Sequence, residues 1–300
     1  MNNNDIINRK RDEIFEFYYD DFSLANNFSA IISNFYNELN NNINVNNITQ
    51  EYISKKEMYP LKTKLNFNDT IEIATNFFNE INVDFTNYFK MRMHDQNNIT
   101  FGDNPKANAD TRKLELTKYG DLRDLYTISH EFTHLFDSKN NNLETRRVLT
   151  ETCAQSMERL LDSYLLNLTD EQLLKYNIDK KILQEDILNR RISTFFKRIN
   201  SIYSINNYRN FNEKAIDSGY MLAQIYSTNF STLPYNQQKD IINNLINNVN
   251  CNNFENAVNL FKLDLSKNNN NRNNILQNII ENIYNDYELK IQLEENKILK

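Results

Sequence analysis

Three glycines and three prolines in 300 residues constrain the fold class before any motif is considered. Glycine supplies the positive backbone φ of tight hairpins and proline pre-sets turns. A chain this poor in both has little room for many tight hairpins or for glycine-rich phosphate loops, and collagen-like sequence and proline-rich linkers are excluded. A mainly α protein is expected. The length suits one domain of two lobes, or two closely packed units.

The apolar pattern points the same way. Ile71, Ala74, Phe77, Phe78, Ile81, Phe85, Tyr88 and Phe89 recur at spacings of three and four, which predicts an amphipathic helix over 70–90 with Asp69 as its N-cap. Residues 12–40 and 180–205 also read as helices. One short strand is expected where Lys113-Leu114-Glu115-Leu116-Thr117 alternates polar and apolar residues. Gly120-Asp121 then breaks the chain, with Asp121 placed as an N-cap and Asp124 three positions on, an imitation of a capping box. From there Leu125, Ile128, Phe132, Leu135 and Phe136 carry a helix over about 121–138, expected to fray at Ser138–Asn142. A second helix follows over about 144–166, with Val148, Cys153, Met157, Leu160, Leu161 and Tyr164 as its apolar residues. Segments 139–143, 206–212 and 266–274 read as loops, and there is no internal repeat.

Composition removes several function classes. Lysine and arginine number 34 against 40 aspartate and glutamate, a formal charge of −6, which argues against a nucleic-acid-binding face. No apolar run approaches the length of a membrane span, and the polar start Met1-Asn2-Asn3-Asn4-Asp5 lacks the apolar core of a signal peptide. Two cysteines, Cys153 and Cys251, cannot make a disulfide framework, so a reducing, cytoplasmic setting is expected. Asparagine, at 56 residues, is read as nucleotide bias, and runs such as Asn268–Asn271 as loop filler.

The chemistry is concentrated in one place. Of three histidines, His94, His130 and His134, two lie in His130-Glu131-Phe132-Thr133-His134, an HExxH pattern. On a helix, residues four apart share a face, so both imidazoles can reach one ion. Glu131 is turned by about 100° from His130 and can stand beside the ion as a proton acceptor instead of binding it. His130 and His134 are off the apolar stripe, whereas His94 has no such context and reads as a surface residue. A catalytic zinc needs a third protein ligand. Glu151 fits if the second helix folds back on the first, Glu158 two turns further is the runner-up or a partner for a ligand imidazole, and Asp137 is a weaker candidate. Glu144 and Arg146 read as a solvated helix start.

Asp121 through His134, with Glu151 through Leu166, resembles the zinc helices of the thimet oligopeptidase and oligoendopeptidase F family. Upstream, Met58-Tyr59-Pro60-Leu61 and Asn66 through Ile73 look like that family's lead-in to its catalytic half. The resemblance covers about residues 55–230 of a chain half the family's usual length. It implies a zincin-like helical catalytic domain over 56–300, with a short strand or hairpin beside the HExxH helix and residues 1–55 as an N-terminal helical segment. It implies one zinc ion on His130, His134 and Glu151, with Glu131 as general base. Departures are visible too: Thr133 stands where the family has glycine, the stretch around Phe101-Gly102-Asp103 is not glycine-rich, and no histidine follows His134.

The expected function is therefore zinc-dependent hydrolysis of peptide bonds in short oligopeptides, through a zinc-activated water. Tyr220, before Tyr226 or Tyr208, is the candidate for stabilising the oxyanion. The strand at Leu114–Leu116 is expected to offer an edge to an extended substrate. The alternatives are a peptidase-derived zinc protein that binds with little turnover, and a protein-specific HExxH protease of another lineage.

Overall fold

The structure is a computed structural model that describes residues 61–108, 111–140, 147–203 and 226–247, with Tyr220, Ala223, Gln224, Asn282, Asn285 and Asp286 besides. The expected helix over 12–40, the N-terminal segment 1–55, Tyr208 and the loops at 206–212 and 266–274 lie outside the described residues. Its elements are helices α1 (Phe67–Ile81) and α2 (Val83–His94), strands β1 (Ile99–Phe101), β2 (Lys106–Asn108) and β3 (Lys113–Leu116), then helices α3 (Leu122–Asn140), α4 (Arg147–Asn167), α5 (Asp170–Leu174), α6 (Lys180–Tyr203) and α7 (Tyr235–Asn247). The fold is mainly helical, with one small sheet among the described residues. No helix among the described residues is long and apolar enough to cross a membrane.

The single helix expected over 70–90 is two helices, and asparagine is the reason. Asn82 has extended backbone and ends α1, and its side-chain oxygen then accepts from the Asp84 and Phe85 amides at the start of α2. The N-cap of α1 is Asn66, not Asp69: the Asn66 Oδ1 accepts from the Asp69 amide at 2.9 Å, and Asp69 sits in the first turn. A side-chain acceptor at the N-cap satisfies amides that the helix itself leaves unpaired.

The sheet order is β1-β3-β2, with β1 parallel and β2 antiparallel to β3. This overturns the expectation that Leu114–Leu116 offers a substrate edge. Both of its sides are taken by neighbouring strands, and Leu114 and Leu116 turn into the core. The sheet's edges are β1 and β2.

The core is an aromatic stack between α1, α2 and α3. Phe78, Phe85, Tyr88 and Phe89 surround Phe132, with ring centroids 4.9–5.7 Å away. Leu125, Ile128, Leu135 and Phe136 continue the same buried stripe. Phe132 lies between the two motif histidines in sequence, so the packing that buries it rotates His130 and His134 to the other side of α3. Phe132→Ala should cost about 3–5 kcal/mol of stability, the usual range for a large aromatic removed from a packed core. Urea unfolding checks this, and a loss under about 1 kcal/mol would mean that the stack does not hold α3 in place.

The start of α3 is fixed by its two aspartates. Asp121 accepts from the Arg123 amide at 3.0 Å and holds its guanidinium. Asp124 reaches back to the amides of Tyr119 at 2.9 Å and Gly120 at 2.8 Å, and to the Thr117 hydroxyl at 2.8 Å. The expected capping box is therefore displaced towards the preceding loop, where Gly120 adopts the φ of +73° that the turn requires.

Candidate metal centre

Helix α4 packs along α3, which brings Glu151 level with the histidines. His130, His134 and Glu151 offer ligand atoms that all lie within 4.8 Å of one another. The Nε2 atoms of His130 and His134 are 3.0 Å apart, His130 Nε2 is 3.5 Å from Glu151 Oε2, and His134 Nε2 is 3.5 Å from Glu151 Oε1. Two ligands about 2.1 Å from a tetrahedral zinc would stand about 3.4 Å apart. Glu151 Oε2 is buried and has no hydrogen-bond partner among the described residues. Two imidazoles and one carboxylate are a donor set that suits zinc, and a buried carboxylate oxygen beside them that makes no hydrogen bond fits a cation at their centre.

The electrostatics favour positive charge here. Burial would lower the His130 pKa, but Glu151 and Glu158 against its ring hold it well above the usual histidine value. Burial would raise Glu151, yet the two histidines hold it well below the usual carboxylate range. For Glu158, burial is likewise overcome, by Arg190 and His130, and its pKa falls to about 2. Glu131 differs. It is buried, and that burial raises its pKa against the opposing pull of His130 and His134. Two acidic groups are thus held below the usual carboxylate range while burial moves a third above it.

His130 is oriented from behind. Its Nδ1 is 2.6 Å from Glu158 Oε1, where an Nδ1–H can donate to the carboxylate, and its Nε2 faces His134 and Glu151 on the other side of the ring. A carboxylate on the far nitrogen of a ligand histidine fixes the ring and its tautomer. Of the two sequence candidates on α4, Glu151 is the one level with both Nε2 atoms, and Glu158 sits on the opposite side of the His130 ring.

The other candidates fall out separately. His94 ends α2 and is exposed. Tyr226 is 1% exposed and belongs to the hydrophobic core. Tyr220 is helical and half-buried, and its place in any reaction stays a proposal. The Asp137 side chain and residues Glu144 and Arg146 are outside the description. Thr133 is fully buried with its hydroxyl on the Ser129 carbonyl at 2.7 Å, so a residue larger than glycine is accommodated inside α3.

Sequence reading missed the groups behind Glu158. Arg190 of α6 pairs with Glu158 and lies over the Tyr126 ring, 3.5 Å from its centroid. Tyr126 donates to Asp162, whose other oxygen accepts from Arg191 Nε at 2.7 Å. A signal existed: Tyr126 precedes His130 by four residues, and Asp162 follows Glu158 by four, so each shares a helix face with its neighbour.

No family model matches the chain, and no curated protein matches it. Two solved structures share its fold. One is a protein assigned as an oligoendopeptidase F from Bacillus anthracis str. Ames, with a TM-score of 0.57 and 13% identity over 85% of this chain and 56% of that one. The other is a protein assigned as a peptidase from Chlamydophila abortus, with a TM-score of 0.56 and 14% identity over 91% of this chain and 57% of that one. The chain spans little more than half the length of each, and what it has in common with these two peptidases is a helical fold.

Proposed function

We propose that the chain is a zinc metallopeptidase acting on short peptides, with His130, His134 and Glu151 as the ligands and Glu131 as general base. The observation that carries the reading is the convergence of those three donors, with the buried Glu131 next to His130 in sequence and outside the set. The fold shared with two peptidases supports it.

Zinc, when bound, would supply Lewis acidity for the scissile carbonyl and for the attacking water. Glu131 takes the proton of that water and afterwards delivers it to the leaving amine. Burial raises its affinity for the proton. Glu158 keeps His130 in the tautomer whose Nε2 is free to bind a metal. Tyr220 is proposed to donate to the developing oxyanion.

The test is cleavage of a library of unstructured peptides beside a folded protein of the same composition. Peptide cleavage is expected, with loss on chelation and return on adding zinc, while the folded protein stays intact. Chelator-sensitive cleavage of the folded protein would replace the oligopeptide reading by that of a protein-specific protease.

A further inference from the structure

Helices α3 and α4 face each other through two cross-helix pairs one turn apart. His130 meets Glu158, and Tyr126 meets Asp162. Each pair joins residues at the same step along its helix, since 126 to 130 and 158 to 162 are both four residues. Arg190 enters the corner between the pairs from α6. Its guanidinium bonds Glu158 Oε2 while Oε1 of the same carboxylate is on His130, and its face lies on the Tyr126 ring. Both sides of the arrangement are enclosed, with the Arg190 side chain 13% exposed and that of Glu158 14%. The lower pair is held in turn, because Asp162 also accepts from Arg191 and lies 3.5 Å from Arg159.

We propose that Arg190 is a positioning residue of the metal centre, which fixes the Glu158 carboxylate in the orientation that receives the Nδ1–H of His130. A carboxylate with one oxygen on His130 and nothing on the other can rotate about its terminal torsion, and the imidazole turns with it. A planar guanidinium clamped over an aromatic ring removes that freedom in a way a flexible ammonium does not. The effect on zinc rests on the ligand assignment proposed above. The effect on the His130 ring does not, because it concerns a contact within the protein itself.

Full-length protein is compared as parent, Arg190→Met, Arg190→Lys, Glu158→Gln and Arg190→Met/Glu158→Gln. Zinc affinity is measured by chelator competition. The Nδ1 proton of His130 is followed by NMR in zinc-free protein labelled at its three histidines. Arg190→Met should weaken zinc binding by about 10–100-fold, the range for groups that support a ligand, and move the strongly hydrogen-bonded Nδ1 proton upfield. Arg190→Lys should fall between Arg190→Met and the parent. Once Glu158 is Gln, adding Arg190→Met should weaken zinc binding by less than about threefold, because Arg190 acts through that carboxylate. A purely structural arginine would lower the unfolding temperature and leave zinc affinity and the Nδ1 proton alone. Folded Arg190→Met with parental values of both would overturn the proposal, as would a full further loss in the Glu158→Gln background. Should Arg190→Met not fold, Arg190→Lys decides by the same two readings. If the parent binds no zinc, the ligand assignment fails, and the Nδ1 proton alone still decides whether Arg190 positions the ring.

Discussion

Glu131→Gln is expected to bind zinc like the parent and to lose peptide cleavage by about 10²–10⁴-fold, the usual contribution of a positioned general base. Glutamine keeps the shape of the side chain and fills the same buried space. What it cannot do is take a proton. The neighbouring donors do not include this carboxylate, so the ligand set is left whole. Turnover is checked under single-turnover conditions, with zinc content measured on the same sample. Cleavage within about threefold of the parent would remove Glu131 from the mechanism. Loss of zinc together with activity would make Glu131 a support of the metal and not the base.

The second large effect separates the two glutamates of α4. Glu151→Ala should leave the purified protein nearly free of zinc, whereas Glu158→Ala should retain it with affinity lowered by about 10–100-fold. The reason lies in their two positions around one imidazole. Glu151 stands 3.5 Å from the Nε2 atoms of both histidines, and Glu158 stands 2.6 Å from the Nδ1 of His130 alone. Removing the first takes away a ligand, and removing the second frees a ring to turn. Metal analysis in the reverse order would make Glu158 the ligand.

How much of this was legible depends on whether a feature is written in one helix or in several. The HExxH pair was readable because helical geometry alone places residues four apart together. The position of Glu151 beside the two histidines was readable with one more step, that a short connection folds α4 back along α3. The apolar stripe of α3 was readable because each of its residues, Leu125, Ile128, Phe132, Leu135 and Phe136, is buried. The break at Asn82 was not, since apolar periodicity runs through it and only the side-chain bonds to Asp84 and Phe85 reveal a cap. Asparagine, read from composition as nucleotide bias, is at positions 66 and 82 the residue that caps the start of a helix. The central place of β3 in the sheet escaped as well, because β1 and β2 are three residues each and too short for alternation to show. Arg190 escaped for a third reason. A charged residue in the polar run Asn189-Arg190-Arg191 of a long helix looks solvated until its partners, Glu158 and Tyr126 on two other helices, are known.

The most direct measurement is a zinc titration of metal-free protein with a fluorogenic peptide as reporter. Cleavage should rise in proportion to added zinc and level off at one equivalent per chain, with His134→Ala flat throughout. Cleavage already present without metal would contradict a zinc peptidase. So would tight uptake of one zinc with no cleavage of any peptide offered, the result expected of a protein that keeps the metal site for binding alone.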